Sequence, residues 1–166
     1  MNDVTAINSA EQKLVQLLKS ELSKIPGLAG SDVTPENPAV LLSGWKTAAG
    51  TVLSVFLYLV EVDTSSRNEP YRRISTGAPS SAPPLPLNLH FLVTPIASQS
   101  DDAHLLLNAA MDILHRTPVV PIDSPSEEKK TLEVTLNPLS LEEVTRLWIA
   151  MGTPYRLSVS YKATVR

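Results

Sequence analysis

The chain has 166 residues, 43% of them hydrophobic and 19% charged, with 14 basic against 17 acidic side chains and a net charge of −3. That balance suits one domain over residues 1–166 with a single core, and excludes both disorder and the basic field that would hold a nucleic acid backbone. The absence of cysteine removes disulfides, thiolate nucleophiles and cysteine zinc sites together, as fits assembly in a reducing cytosol.

The start, MNDVTAINSAEQKLVQ, has no basic stretch followed by an apolar run, so no signal peptide is expected. Residues 5–25 read as an amphipathic helix: Ile7, Ala10, Leu14, Leu17, Leu18 and Leu22 recur at three- and four-residue steps, and Pro26-Gly27 ends it. SDVTPENPAV predicts a loop with one short strand near Val33. TVLSVFLYLVEVD, 51–63, predicts a strand that is apolar on both faces, hence a central strand covered from two sides. Its apolar core, 52–60, is far too short to span a membrane. Residues 64–84 are turn formers, prolines and arginines, a length of connection that points to a functional arm or a disordered segment.

LPLNLHFLVTP, 85–95, alternates strictly, with Leu85, Leu87, Leu89, Phe91 and Val93 toward the core and His90 opposite. Ser100 or Asp101 caps a helix running to about Arg116, with Ala103, Leu106, Leu107, Ala110, Ile113 and Leu114 inward. A proline-rich loop leads to the strand TLEVTL, 131–136. Ser140 and Glu143 form a capping box for a third helix, buried through Leu141, Val144, Leu147, Trp148 and Met151 and ended by Gly152 and Pro154. Tyr155–Val165 closes the chain as a strand with Tyr155, Leu157, Val159, Tyr161, Ala163 and Val165 on one face and Arg156, Ser158, Ser160, Lys162 and Thr164 on the other. The order predicts an α+β fold: a mixed, largely antiparallel sheet of about four to five strands packed with three helices. Such a last strand reads as a possible exposed edge, open to pairing with another chain.

Chemistry is sparse. His104, Asn108, Asp112 and His115 share the helix face opposite the leucines. His104 and Asp112 lie about 12 Å apart along that helix, too far to hold one metal, and two ligands at Asp112 and His115 close no site. His90 reads as a satisfied structural histidine, and Asp101 and Asp102 as complements to a helix dipole. There is no phosphate loop, GxSxG turn or HExxH helix. Glu142 and Arg146 make an ordinary helical surface pair. These residues imply no catalytic group, no metal and no cofactor.

Three stretches taken together carry a resemblance: LPLNLHFLVTPIA followed by DDAHLLLNAAMDILHRTPVVP; LSLEEVTRLWIAMGTPYRLSVSYKATV; and LSVFLYLVEVD with Arg67-Asn68 after it. Their order resembles the N-terminal domain family of cap proteins in contractile injection systems, the phage-tail-like particles of the Photorhabdus virulence cassette and antifeeding-prophage type. The resemblance implies a tail-terminator fold and a non-enzymatic role. Six copies would form a ring on the last layer of the inner tube protein, contact the sheath protein, stop polymerisation and couple sheath to tube. It implies assembly in the bacterial cytoplasm as part of a particle able to leave the cell, with no nucleic acid and no membrane as partner.

Within that frame Arg67, Arg72 and Arg73 of the 64–84 loop are the candidate contacts to acidic groups of a neighbour or the tube, with Arg156 and Lys162 of the last strand as weaker candidates for sheath or neighbour contact. Two rivals remain. One is a baseplate or tube-initiating adaptor of the same particle. The other is a small-molecule-binding α+β domain with its pocket under the proline-rich loop.

Overall fold

The computed structural model describes residues 6–44, 50–63, 86–122 and 130–165. They form the helices α1 (Ala6–Leu22), α2 (Pro38–Gly44), α3 (Ser100–Arg116) and α4 (Leu141–Ala150) and the strands β1 (Asp32–Thr34), β2 (Val52–Val62), β3 (Leu87–Ile96), β4 (Val119–Ile122), β5 (Lys130–Leu136) and β6 (Val159–Val165). One sheet joins the strands in the order β1-β2-β3-β6-β5-β4, antiparallel at every pairing except β1 with β2. The mixed, largely antiparallel α+β character follows the sequence. The count is higher, because α2 and β4 arise in stretches whose prolines read as loop.

Register assigns the faces, since residues directly opposite across a ladder share a side of the sheet. Leu57, Phe91 and Tyr161 fall on one side, together with Leu89, Val93, Ala163, Leu132 and Val134. There they meet Ala10, Leu14, Leu18 and Leu22 of α1 and Leu106, Ala110, Ile113 and Leu114 of α3 in the main core. The four-residue step of the α1 positions is the reason that helix lies flat on the sheet. Ile7, at the start of the same stripe, is 38% exposed and falls outside this core.

The second face holds a smaller core. Leu92 of β3 packs with Val144 and Trp148 of α4, and Leu42 of α2, Tyr58, Leu139, Leu147 and Met151 close around them. Trp148 is fully buried, and its indole N–H donates to Ser158 Oγ at 3.1 Å, so its burial strands no donor. Removing a ring of that size from water is worth about 4–6 kcal/mol before ordering costs. With so few partners, α4 relies on its ends. Glu143 N–H donates to Ser140 Oγ (3.2 Å) while Ser140 N–H donates to Glu143 Oε2 (2.8 Å), the expected capping box. At the other end Gly152, with φ +70°, donates to Ile149 O, and Thr153 N–H reaches Trp148 O, a Schellman stop.

Several sequence expectations are corrected. The last strand is not an edge: β6 lies between β3 and β5, and its polar face is covered by a polar cluster rather than by solvent. It starts only at Val159, so Tyr155 and Leu157 precede it and stay nearly half exposed. β2 is buried on both faces only over Leu53–Val55, whereas β3 is buried on both along most of its length. Past an irregularity between Leu57 and Leu59, the residues Leu59, Val60 and Val62 of β2 are exposed, because neither helix layer reaches them. The N-cap of α3 is Gln99, without a side-chain bond, rather than Ser100 or Asp101; Asp101 and Asp102 occupy the first turn, where they favour the dipole. Leu141 is 71% exposed, since the helix turns its first residue away from the sheet.

The capping box gives the fold a pH dependence. The Ser140 backbone N–H, then its hydroxyl, hold the Glu143 carboxyl below its ordinary value of 4.5. A carboxylate depressed in the folded state contributes stability above 4.5 that is lost as pH falls through its lowered folded value. Glu143→Gln is therefore expected to lower the denaturation midpoint by more at pH 7 than at pH 3. An equal deficit at both pH values would contradict this.

Candidate functional site

Toward the far end of the second face the apolar contacts give way to a polar cluster centred on Asn137, which follows β5. Its backbone N–H donates to Ser160 O at 2.9 Å, and its side-chain amide reaches Ser160 Oγ (3.2 Å), Tyr58 Oη (3.4 Å) and His90 Nδ1 (3.4 Å). The Tyr58 and Ser160 hydroxyls are 2.9 Å apart. With Nδ1 accepting from Asn137, the imidazole hydrogen sits on Nε2 and donates to Glu61 Oε2 at 2.9 Å. His90 is thus buried and paired on both nitrogens, with the Tyr58 ring tilted 6.0 Å away. Ser160 Oγ bonds to Tyr58 and Asn137 rather than to the imidazole, so the cluster lacks the hydroxyl–imidazole contact of an activated nucleophile. Its geometry fastens the β5–α4 connection to the two central strands.

The other histidines lie on the exposed face of α3, as the helical spacing requires. His104, Asn108, Asp112 and His115 are all exposed, and Asp112 accepts from Arg116 at 2.9 Å. Among the described residues, no group of three His, Asp or Glu side chains is placed to hold a metal ion.

Two of the five candidate contact residues, Arg156 and Lys162, are among those described. Arg67, Arg72 and Arg73, with the whole 64–84 loop, lie outside the described residues. Arg156 is exposed in the extended segment before β6, where it lines a shallow concavity of about 230 Å³ with Leu157, Pro95, Ala103 and His104. Lys162 is half-buried in the middle of the sheet, opposite His90 on one side and Thr135 on the other. The two basic residues therefore share neither a strand nor a surface.

A second concavity, about 340 Å³, was not read from the sequence. Met111, Leu136, Leu139, Leu141, Val144 and Tyr155 line it with Ser158 and Ser160. Leu136 and Leu141 stand more than half exposed at its rim. The only signal was Leu136 and Leu141, one on either side of Ser140, and helical periodicity assigns Leu141 to the core instead.

The fold is similar to those of two solved terminator and cap proteins. The sheath/tube terminator of an extracellular contractile injection system, PVC, in its extended state superposes with a TM-score of 0.69 at 20% identity, over 99% of this chain and 57% of that one. The tube-terminating cap of the anti-feeding prophage gives 0.59 at 19% identity, over 99% of this chain and 54% of that one. The chain thus spans little more than half the length of the solved structures it matches. No curated protein matches it. The chain belongs to the family described as the Pvc16 N-terminal domain, whose model matches residues 10–166.

The cluster makes a direct prediction. Asn137→Ala leaves the Tyr58 and Ser160 hydroxyls paired with each other but takes the donor from buried His90 Nδ1, an expected loss of about 1–3 kcal/mol in chemical denaturation. A loss below about 0.5 kcal/mol would show that the amide does not hold the connection.

Proposed function

We propose that this chain is the cap, or terminator, domain of a contractile injection system. It forms a ring, with six subunits, on the distal end of the inner tube, and touches the end of the sheath. The observation that carries the reading is the family match across residues 10–166; the terminator fold over 99% of the chain supports it. The role is structural: a terminator must match the growing end of the tube on one side and refuse the next layer on the other. The net charge of −3 is compatible with a particle end that holds no nucleic acid. Assembly takes place in the bacterial cytoplasm, and the cap leaves the cell with the particle. Arg67, Arg72 and Arg73 supply the charged contacts to acidic groups of the tube or a neighbouring subunit.

Native mass spectrometry of the purified chain, alone and with its cognate tube protein, tests the reading. A six-subunit species, formed alone or on the tube protein, is expected, and reversing the three arginines to glutamate should weaken it. A strict monomer that ignores the tube protein would contradict the cap role.

A further inference from the structure

The polar cluster of the second face holds one titratable ring between two partners of opposite kind. His90 is 7% exposed. Its Nε2 meets the Glu61 carboxylate at 2.9 Å, and its Nδ1 meets the Asn137 amide nitrogen at 3.4 Å. A carboxylate accepts whether the ring is neutral or charged. An amide nitrogen only donates, so it fits Nδ1 only while that atom carries no hydrogen. The cluster in this arrangement suits the neutral ring alone.

The other groups on that face supply no acceptor for a hydrogen at Nδ1. Register sets Lys162 of β6 directly opposite His90, with Thr135 of β5 beyond it. Glu133 lies one pair further along, opposite Thr164, whose hydroxyl donates to Asn88 at 2.7 Å. β2 supplies Glu61, already on Nε2, and Tyr58, whose hydroxyl pairs with Ser160. The charges of α4 are engaged elsewhere, Glu142 with Arg146 and Glu143 with Ser140. A carboxylate and an ammonium thus flank the ring, and only Asn137 stands at Nδ1. Asn137 has a second group to offer there. Turning its amide over about the Cβ–Cγ bond exchanges Nδ2 for Oδ1 and leaves its backbone bond to Ser160 O in place. The amide nitrogen has two hydrogens for three acceptors at 3.2–3.4 Å. The oxygen, in the same place, accepts from a protonated Nδ1 and from the Ser160 hydroxyl, which in turn receives the Tyr58 hydrogen.

We propose that His90 and Asn137 form a proton switch, in which a proton taken up at His90 Nδ1 turns the Asn137 amide over and aligns the Tyr58 and Ser160 hydroxyls toward its oxygen. Both arrangements close the network, so the β5–α4 connection stays fastened in each. What changes is the amide group turned away from the cluster, which goes from acceptor to donor. Asn137 also lines the concavity beside α4 with Leu136, Leu139 and Leu141. The switch therefore carries the charge of a buried ring to a surface as a reversal of hydrogen-bonding sense. It belongs to the fold and does not depend on the cap reading.

Nitrogen-15 NMR tests this on the full chain carrying His104→Gln and His115→Gln, which alter two exposed positions of α3 and leave His90 as the only histidine of three. At about pH 8 the ring is expected as the neutral tautomer with its hydrogen on Nε2. Toward about pH 5 both ring nitrogens should become protonated, and the Asn137 side-chain amide signals should move with the same midpoint. Asn137→Asp, which fixes an acceptor at Nδ1, should raise that midpoint by at least about one pH unit. The proposal is overturned if the hydrogen sits on Nδ1 at about pH 8, if His90 stays neutral until the chain unfolds in acid, or if the ring titrates while the Asn137 amide signals stay still. An unmoved midpoint in folded Asn137→Asp would equally overturn it; should that variant not fold, the amide signals of Asn137 decide.

Discussion

The burial of β3 on both faces is the constraint on which the rest of the structure depends. Leu89, Phe91 and Val93 need one apolar layer and Leu92 needs another, so helices must lie on both sides of a single sheet. The main layer is supplied by α1 and α3, whose long leucine stripes suit a broad surface. The second is small, and α4 holds its place there through one tryptophan, one strand leucine and two well-formed ends. This explains how a ten-residue helix with Leu141 and Ile149 each 71% exposed can remain fixed: its position comes from Trp148 and its length from Ser140, Glu143 and Gly152.

The same face changes character along the sheet. Near Leu92 it is apolar; at His90 it becomes a network of hydroxyl, amide and imidazole groups tied to one another. Buried polar groups that find their partners fix register, and Asn137 makes the connection between β5 and α4 part of the sheet rather than a loose loop. On the sheet, the exposed end of β2, the apolar concavity beside α4 and the concavity at Arg156 occupy separate places.

Local patterns were readable where the physics is local. The four-residue step from Ala10 to Leu22 gave α1, and Ser140 with Glu143 gave the start of α4. The spacing of His104, Asp112 and His115 put them in solvent. α2 was hidden by the prolines around it, although Asn37-Pro38 carries a start signal: Asn37 Oδ1 accepts from Ala39 N–H at 2.8 Å, with proline in the first turn. β4 was hidden by Pro121, which is tolerated because it faces away from β5. The place of β6 was not readable at all. Its alternation of polar and apolar residues looks like a solvent-facing edge, and only the register to His90, Asn88 and Asn137, all far away in sequence, shows what covers Ser160 and Thr164. The partners of His90 were unreadable for the same reason. Function was legible only through resemblance, since the residues taken alone spell out no chemistry.

The most direct test of the cap account is to image particles assembled with and without this chain and measure tube length. The account predicts a narrow length distribution and closed ends when the chain is present, with tubes of variable length and open ends when it is absent. Identical lengths and identical ends in the two preparations would contradict it.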